Sequence, residues 1–295
     1  MAKEKISLKE LLNSVIGEGH EMVAKLYGGM MNLSYVVKDK NDKLYVVYVP
    51  NGKSNELVNR YVEKDNTEIL ASLGLTGKMI YFDTRLGIKI KEYIEGESLN
   101  KTYNYDIQKV ADLLHCIHDS DQLAPNDYAP FDRLADYENQ ALKYAPERND
   151  YRRLKDFLSI NINHLLNKHK VFSHNDFQKS NIVKGFDEKY YVIDFEFCGN
   201  NDEVYDIAAF ANDNLAEGER LLEAYFNNDV PASARRRFYL WRIFISLQWH
   251  TLAIVKHYQN EGKNTGINFL SVATHFIAIA EEAQAKFLKL PPKKK

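Results

Sequence analysis

Cysteine is scarce in this chain: only Cys116 and Cys198 occur among 295 residues, and neither has a partner at metal-ligand spacing. That count argues against a disulfide framework and against a zinc site, and it fits a reducing compartment such as the cytoplasm. An excess of either charge is also missing. The 39 Lys and Arg and 41 Asp and Glu are mixed along the chain and leave a formal net charge of −2. Nothing in that balance grips nucleic acid or an anionic membrane surface. Long apolar runs are absent as well. Even the stretch from Phe238 to Val255 is interrupted by Arg242, Gln248 and His250, short of the roughly 18 apolar residues that a membrane span needs. No internal repeat or low-complexity tract interrupts the pattern. Met1 to Lys5 lead into an amphipathic stretch, Ile6 to Ile16, that holds acids and neither an apolar core nor a cleavage signal, so export is not expected. Lys293, Lys294 and Lys295 read as a frayed tail.

What is present is an ordinary globular composition, 45% hydrophobic and 27% charged, in a chain long enough for a two-lobed unit. Strand-like runs dominate the first ninety or so residues: Glu21 to Leu26, Leu33 to Lys38, Leu44 to Val49, Met79 to Phe82 and Gly87 to Tyr93. Turn residues separate them at Gly28-Gly29, Lys40-Asn41-Asp42 and Pro50-Asn51-Gly52. Between them, the apolar spacing predicts a helix over Asn55 to Leu73, ended by Gly74. From Tyr105 onward the spacing is mainly helical, with one stripe over Ile107 to Ile117 and another over Leu154 to Leu166. The exception is Val171 to Phe197, where two short β-rich pieces, Ile182-Val183 and Tyr190 to Phe195, flank Gly185. The expected fold is therefore α+β: a β-rich lobe over 1–95, a short connection near Glu95-Gly96-Glu97, and a helical lobe over 96–295 with a small polar hairpin embedded in it.

That hairpin carries the chemistry. Ser173-His174-Asn175-Asp176-Phe177-Gln178-Lys179-Ser180-Asn181 is followed by Val192-Ile193-Asp194-Phe195-Glu196. Singly, such residues are turn formers, caps or solvated strand ends. Together, an Asp and an Asn five apart on a loop and a second Asp at the end of a short strand match what phosphoryl transfer from a nucleotide requires. One carboxylate accepts or orients the attacking hydroxyl, while an amide oxygen and a second carboxylate hold Mg²⁺, a hard cation suited to oxygen ligands, against the phosphates.

This stretch resembles the catalytic segment of the aminoglycoside phosphotransferase and choline kinase superfamily, distant relatives of protein kinases, and is most similar to bacterial choline kinases. The resemblance extends over about Leu26 to His257. Gly28-Gly29-Met30-Met31-Asn32 resembles the glycine turn before the second strand, Asn55 to Leu70 the first-lobe helix, and Tyr205-Asp206-Ile207-Ala208 a segment after the metal aspartate. It implies a bilobal kinase fold and an ATP- and Mg²⁺-dependent enzyme acting on a small-molecule hydroxyl. Asp176 would be the catalytic base, Asn181 and Asp194 the magnesium ligands, and Glu63 the helix carboxylate that pairs with a phosphate-binding base. Gly28, Gly29, Asn32 and the connection Glu92, Tyr93 and Ile94 would contact the nucleotide. Asp206 would brace the catalytic loop, and His174 would hold it rather than move protons. No Ala-Pro-Glu segment follows Asp194, and Asp194-Phe195-Glu196 stands where protein kinases have Asp-Phe-Gly, which argues against a protein acceptor.

One position departs from the family. Its third strand places a Lys or Arg against the phosphates, and alignment of Leu44 to Val49 puts Tyr48 there. Either a nearby base, Lys53, Lys38 or Arg60, substitutes, or the chain is a weak or inactive nucleotide-binding relative. For the acceptor, Phe238, Trp241, Ile245, Trp249 and Leu252 recur on one helix face. By the resemblance Trp249 aligns with an aromatic that meets a quaternary ammonium through its ring face; Glu196, two residues past the magnesium aspartate, is a candidate carboxylate for a cationic head group. Choline leads, with ethanolamine, an aminoglycoside or another small alcohol open, because Ser246 and Leu252 depart from the bacterial choline kinase pattern. The expected partners are ATP and a small molecule, with no nucleic acid and no membrane. Oligomeric state is not legible.

Overall fold

A computed structural model describes residues 7–26, 32–50, 58–102, 104–166 and 168–292. Gly28, Gly29, Lys53 and the terminal Lys293 to Lys295 lie outside the described residues. In chain order the elements begin with α1 (Leu8–Ile16), β1 (Glu21–Leu26), β2 (Asn32–Lys38), β3 (Leu44–Pro50), α2 (Arg60–Ser72), β4 (Met79–Asp83), β5 (Ile88–Glu92) and β6 (Gly96–Ser98). There follow α3 (Ile107–His118), α4 (Pro130–Ala141), α5 (Asn149–Asn161), β7 (Val171–Ser173), β8 (Ile182–Gly185), β9 (Tyr190–Val192), β10 (Gly199–Asn201), α6 (Glu203–Phe210), α7 (Leu215–Tyr225), α8 (Ala232–Tyr258) and α9 (Phe269–Leu288). Two compact units result, one from 1–103 with 124–126 and 180–198, the other from 104–123, 127–179 and 199–295. Among the described residues no helix is long and apolar enough to cross a membrane.

The first unit is built on an antiparallel sheet in the order β1-β2-β3-β5-β4. Its faces follow from strand alternation. Tyr45 and Val47 of β3, Ile90 of β5 and Val37 of β2 form a core with Leu12 of α1. The alternate positions, Val46 and Tyr48 on β3 and Lys89 and Lys91 on β5, therefore share the opposite face, paired across the strands as Val46 with Lys91 and Tyr48 with Lys89. Ser7 and Glu10 close a reciprocal capping box on α1, which satisfies two amide donors at the helix start. Of the helix expected over Asn55 to Leu73, Asn55 to Leu57 lie outside the described residues; α2 begins at Arg60, because Asn59 turns its side chain back to accept from the Tyr61 and Val62 amides. A short polar side chain that offers this bond ends a helical pattern sooner than apolar spacing suggests.

The segment at Glu95-Gly96-Glu97, which reads as a plain connection, is strand β6 in part: Gly96, Glu97 and Ser98 pair antiparallel with Gly185, Lys184 and Val183. The polar hairpin is β8 and β9, paired from Ile182 with Val192 to Lys184 with Tyr190. Three-residue strands without apolar alternation carry almost no periodic signal.

The second unit is helical, organised on α8, whose buried residues run nearly all round it, from Phe238, Trp241 and Phe244 to Leu247 and Ala253. Helices α4, α5, α6 and α9 all pack on α8, which explains an apolar surface wider than one stripe. Within the same unit β7 pairs with β10, Ser173 opposite Gly199 and Val171 opposite Asn201.

Gly96 offers a direct check on the β6 pairing. A Cβ there would stand 2.3 Å from the Lys184 carbonyl oxygen and 2.8 Å from the Gly185 Cα. Gly96→Ala is expected to cost on the order of 1–3 kcal/mol and to lower the melting temperature by roughly 2–10 °C. A variant that melts with the wild type contradicts the pairing.

Candidate active site

In the helical unit, β7 runs into a loop whose backbone is fixed before any side chain acts. Asp206, fully buried on α6, accepts the His174 amide at 2.8 Å and the Asn175 amide at 2.6 Å, and His118 Nε2 at 3.0 Å. A carboxylate only accepts, so the His118 proton sits on Nε2, and Nδ1 is left to take the Tyr225 hydroxyl at 3.0 Å. Asn175 adopts φ 63°, a left-handed conformation that asparagine tolerates better than most residues. It is held there by its own amide, which donates to the Ser173 and Gly199 carbonyls at 3.1 and 3.0 Å, and by Asn201, which donates to Asn175 Oδ1 at 2.8 Å.

On this frame Asp176 is half-buried. Its amide donates to His174 Nδ1 at 3.3 Å, and Gln178 Nε2 lies 3.2 Å from each carboxylate oxygen. Asn212 donates in turn to Gln178 Oε1 at 3.2 Å. Gln178 thereby orients the carboxylate, a part that the sequence alone does not assign to it; its place two residues after the aspartate is the one signal there is. The bonds of His118 and Asn201, and that of Asn175 to Gly199, are equally invisible in sequence, because they cross 24 to 107 positions.

In the sheet unit, Asn181 sits at the foot of β8, 7% exposed, and its carbonyl accepts the Ile193 amide at 2.9 Å. The Asp194 backbone then turns out of the strand with φ 69°. Strain of this kind in a non-glycine residue persists only where surrounding contacts impose it, and it gathers at functional sites. The hairpin so joins the backbones bearing an amide oxygen and a carboxylate. Among the described residues no cluster of three or more His, Cys, Asp or Glu forms a metal cage. Mg²⁺ needs none, since it is held by one or two protein oxygens with phosphates and water. The donor set fits such an ion on a second observation: Glu196 is buried, and burial together with the Asp194 charge pushes its carboxyl up to about 9. A cation bound at Asp194 would offset that charge and favour the ionised carboxylate.

Beside Asp194 lies a buried cluster of charges. Glu63 of α2 forms a salt bridge with Lys89 of β5 and another with Arg60 at 2.7 Å. Burial alone would raise the Glu63 carboxyl, but Lys89 and Arg60 outweigh it and hold it below the ordinary value. Arg60 Nη2 also reaches Asn32 Oδ1 at 3.4 Å, and Arg60 Nη1 stands 4.0 Å from Glu196, which accepts from Asn32 Nδ2 at 3.4 Å. Asn32, Glu63, Asp194 and Glu196 are thus drawn into one neighbourhood. Glu196 faces Arg60 and Asn32, with its side chain 3% exposed.

The Tyr48 phenol is held protonated by burial and by the neighbouring Asp194 and Glu63 carboxylates, and Lys89 Nζ lies 4.9 Å from the centre of its ring. Of the bases that the sequence offers as substitutes, Lys38 is committed to Glu21 and Asp42 at 3.1 and 2.9 Å, and Arg60 belongs to the cluster. The base that pairs with Glu63 from the neighbouring strand, Lys89, is none of these. Its signal is the alternation Ile88-Lys89-Ile90-Lys91, which puts two lysines on one face. Lys91 differs from it: it donates to Thr76 Oγ1 at 2.7 Å and lies 4.2 Å from the Phe195 ring centre. Burial, helped by Lys89, lowers its amine to about 7.

The expected nucleotide connection is anchored at Glu92 and Tyr93, whose amides donate to the Lys78 and Leu44 carbonyls at 2.9 and 3.1 Å. A cavity of about 820 Å³ borders it, lined by Thr76, Gly77, Glu92, Ile94, Phe186 and Tyr191 among others. None of Asn181, Asp194, Glu63 or Lys89 lines that cavity, so it is not where these groups act. In the helical unit Trp249 is partly buried on α8, stacked against Phe276 of α9 at 6.2 Å, while Trp241 is fully buried with Nε1 2.8 Å from Asp202.

A sheet unit holding a helix carboxylate paired to a strand lysine and an Asp-Phe-Glu turn, with a helical unit holding a His-Asn-Asp loop, defines a kinase-like, small-molecule phosphotransferase. The chain belongs to the choline/ethanolamine kinase family, whose sequence profile matches residues 23–229. It is 26% identical over 267 residues to protein LicA of Haemophilus influenzae, covering 84% of this chain and 76% of that one. The fold matches choline kinase LicA of Streptococcus pneumoniae with a TM-score of 0.76 at 27% identity, covering 95% of this chain and 98% of that one. A structure of LicA in complex with AMP matches with a TM-score of 0.72 at 25% identity, over 94% and 97%.

Two measurements probe this geometry. Asp206→Asn keeps the shape and removes the charge that two amides and His118 share, so a loss on the order of 3 kcal/mol and a melting temperature lower by roughly 5–10 °C are expected, with a parallel loss of turnover. An unchanged melting curve contradicts the bracing role. For Lys91, the folded amine titrates near 7 and the unfolded one near its ordinary 10.5, so between those values the unfolded chain binds the extra proton. Stability therefore rises with pH across that window, by up to about 1.4 kcal/mol per pH unit, and the full penalty applies below it. Lys91→Met is expected to melt above the wild type at pH 7, with the gap closing toward pH 10. A gap that does not depend on pH contradicts the assignment.

Proposed function

We propose that this chain transfers the γ-phosphoryl group of ATP, with Mg²⁺, to the hydroxyl of a small amino alcohol, choline first. The observation that carries the reading is Asp176: a carboxylate held by Gln178, with its own backbone amide bonded to His174, on a loop braced through Asp206, five residues before Asn181 in the chain. Phosphoryl transfer asks little covalent chemistry of a protein, and the rate comes from positioning and from charge stabilisation.

In this reading Asp176 accepts a hydrogen bond from the acceptor hydroxyl, aims its oxygen and takes its proton as the bond to phosphorus forms. Asn181 and Asp194 are the residues that would hold Mg²⁺, which when bound neutralises charge on the phosphates. The backbone at Glu92, Tyr93 and Ile94 meets the adenine edge, and Gly28, Gly29 and Asn32 border the phosphates. His174 and Asp206 position the loop. The acceptor's cationic head is assigned to the Trp249 ring face. Glu196 is the less suited of the two expected acceptor groups, because it is buried, burial and the Asp194 charge raise its carboxyl above the usual range, and its contacts are Asn32 and Arg60. Its role is assigned instead to the charge cluster around Asp194.

Tyr48 is the observation that favours a second reading, a nucleotide-binding relative without turnover. Release of ADP from Mg-ATP against choline, ethanolamine, an aminoglycoside and other hydroxyl compounds separates the two. Turnover with one small amino alcohol is expected, falling by about 10²–10⁴ in kcat in Asp176→Asn with little change in the KM for ATP. Nucleotide binding without turnover on any acceptor supports the second reading, and an Asp176→Asn variant as fast as wild type refutes the assigned base.

A further inference from the structure

We propose that Lys89, on β5, is the cation that grips the nucleotide phosphates, in place of the basic residue that the family carries on β3 at position 48. The proposal rests on the reading above only in that the chain binds a nucleotide; the acceptor does not enter it.

Three observations converge. First, Tyr48 and Lys89 are directly opposite in the β3–β5 register and on the same face, and residues so paired have Cβ atoms only about 4.5–5.5 Å apart. A long side chain leaving β5 therefore reaches the space that a base from β3 would reach. Second, Glu63 of α2 forms its salt bridge with Lys89. The helix carboxylate that ought to hold the phosphate-binding base is thus engaged with a base on the adjoining strand. Third, the Tyr48 ring supports the lysine, with Nζ 4.9 Å from its centre, and the Phe82 ring stands 5.7 Å away on β4. An electron-rich face under a cation stabilises it by a contact that worsens little with burial. Tyr48 thus occupies the β3 position and steadies the cation on the adjoining strand.

Among the described residues the other candidate bases do not serve. Lys38 is tied to Glu21 and Asp42. Arg60 bonds Glu63 and Asn32. Lys91 is turned to Thr76 and the Phe195 ring. A lysine whose side chain is 6% exposed and whose carboxylate partner is fully buried is expensive to retain for stability alone, since apolar replacements of buried ion pairs are often neutral or better. Three donors on a compact charge suit phosphate oxygens.

The test compares binding of Mg-ADP and of adenosine, which lacks phosphates, by titration calorimetry in the wild type, Lys89→Met and Lys89→Arg, with kcat and the KM for ATP wherever an acceptor turns over. Lys89→Met is expected to weaken Mg-ADP at least tenfold and to leave adenosine within twofold, while Lys89→Arg keeps most of the Mg-ADP affinity. The double variant Tyr48→Lys with Lys89→Tyr returns the cation to β3 and is expected to keep most of the wild-type Mg-ADP affinity; being read against the wild type, it also decides the matter where Lys89→Met does not fold. Unchanged Mg-ADP affinity in Lys89→Met, or equal losses for ADP and adenosine, overturns the proposal. A wild type that binds Mg-ADP and phosphorylates nothing ends the acceptor reading alone, and the Lys89 variants still decide whether this lysine holds the phosphates; a wild type that binds neither ligand ends both.

Discussion

A buried carboxylate has to be met by positive charge, and Glu63 is where this chain meets that demand. Its side chain is fully enclosed and would be driven toward the neutral acid by burial, yet Lys89 and Arg60 keep it ionised. Removing Glu63 would leave two cations without compensation in a poorly hydrated place, which costs far more than the pairs themselves contribute. The pairing therefore fixes where α2 lies on the sheet. Through Arg60 it also fixes Asn32 and Glu196, and Glu196 is two residues from the strained turn at Asp194. A second anchor of the same kind, Asp206, does this for the helical unit by collecting two loop amides and a histidine.

Much of this is legible in sequence, for physical reasons that differ by element. The sheet strands announce themselves because period-two alternation over five to seven residues leaves a clear trace, and the hairpin turn at Lys40-Asn41-Asp42 is present with Asp39 accepting the Asn41 and Lys43 amides. Asp176, Asn181 and Asp194 stand out because their spacing matches one kind of chemistry. The start of α2 is misplaced by a reading of apolar spacing, which continues past the point where Asn59 caps the helix. Strands β6, β7 and β10, three residues each, escape such a reading because their pairing partners, not their composition, make them strands. Lys89 escapes it for a similar reason. Its role depends on being opposite Tyr48, and register across strands that are distant in sequence cannot be read from either one alone.

The departure at Tyr48 takes on a different meaning once β5 is in view. Seen along β3, a phenol replaces a cation and the function is in doubt. Seen across the sheet, the cation is one strand away, paired to the carboxylate that family resemblance assigns to it and resting on the phenol's ring. Selection on a site acts on where charge stands in space, and antiparallel neighbours supply nearly equivalent positions.

A crystal structure with Mg-ADP tests this account most directly. It is predicted to show Lys89 Nζ within hydrogen-bond distance of a phosphate oxygen, Glu63 still paired with it, and the metal ligated by Asn181 and Asp194. Phosphates held by another base, with Lys89 left facing only Glu63, would contradict it.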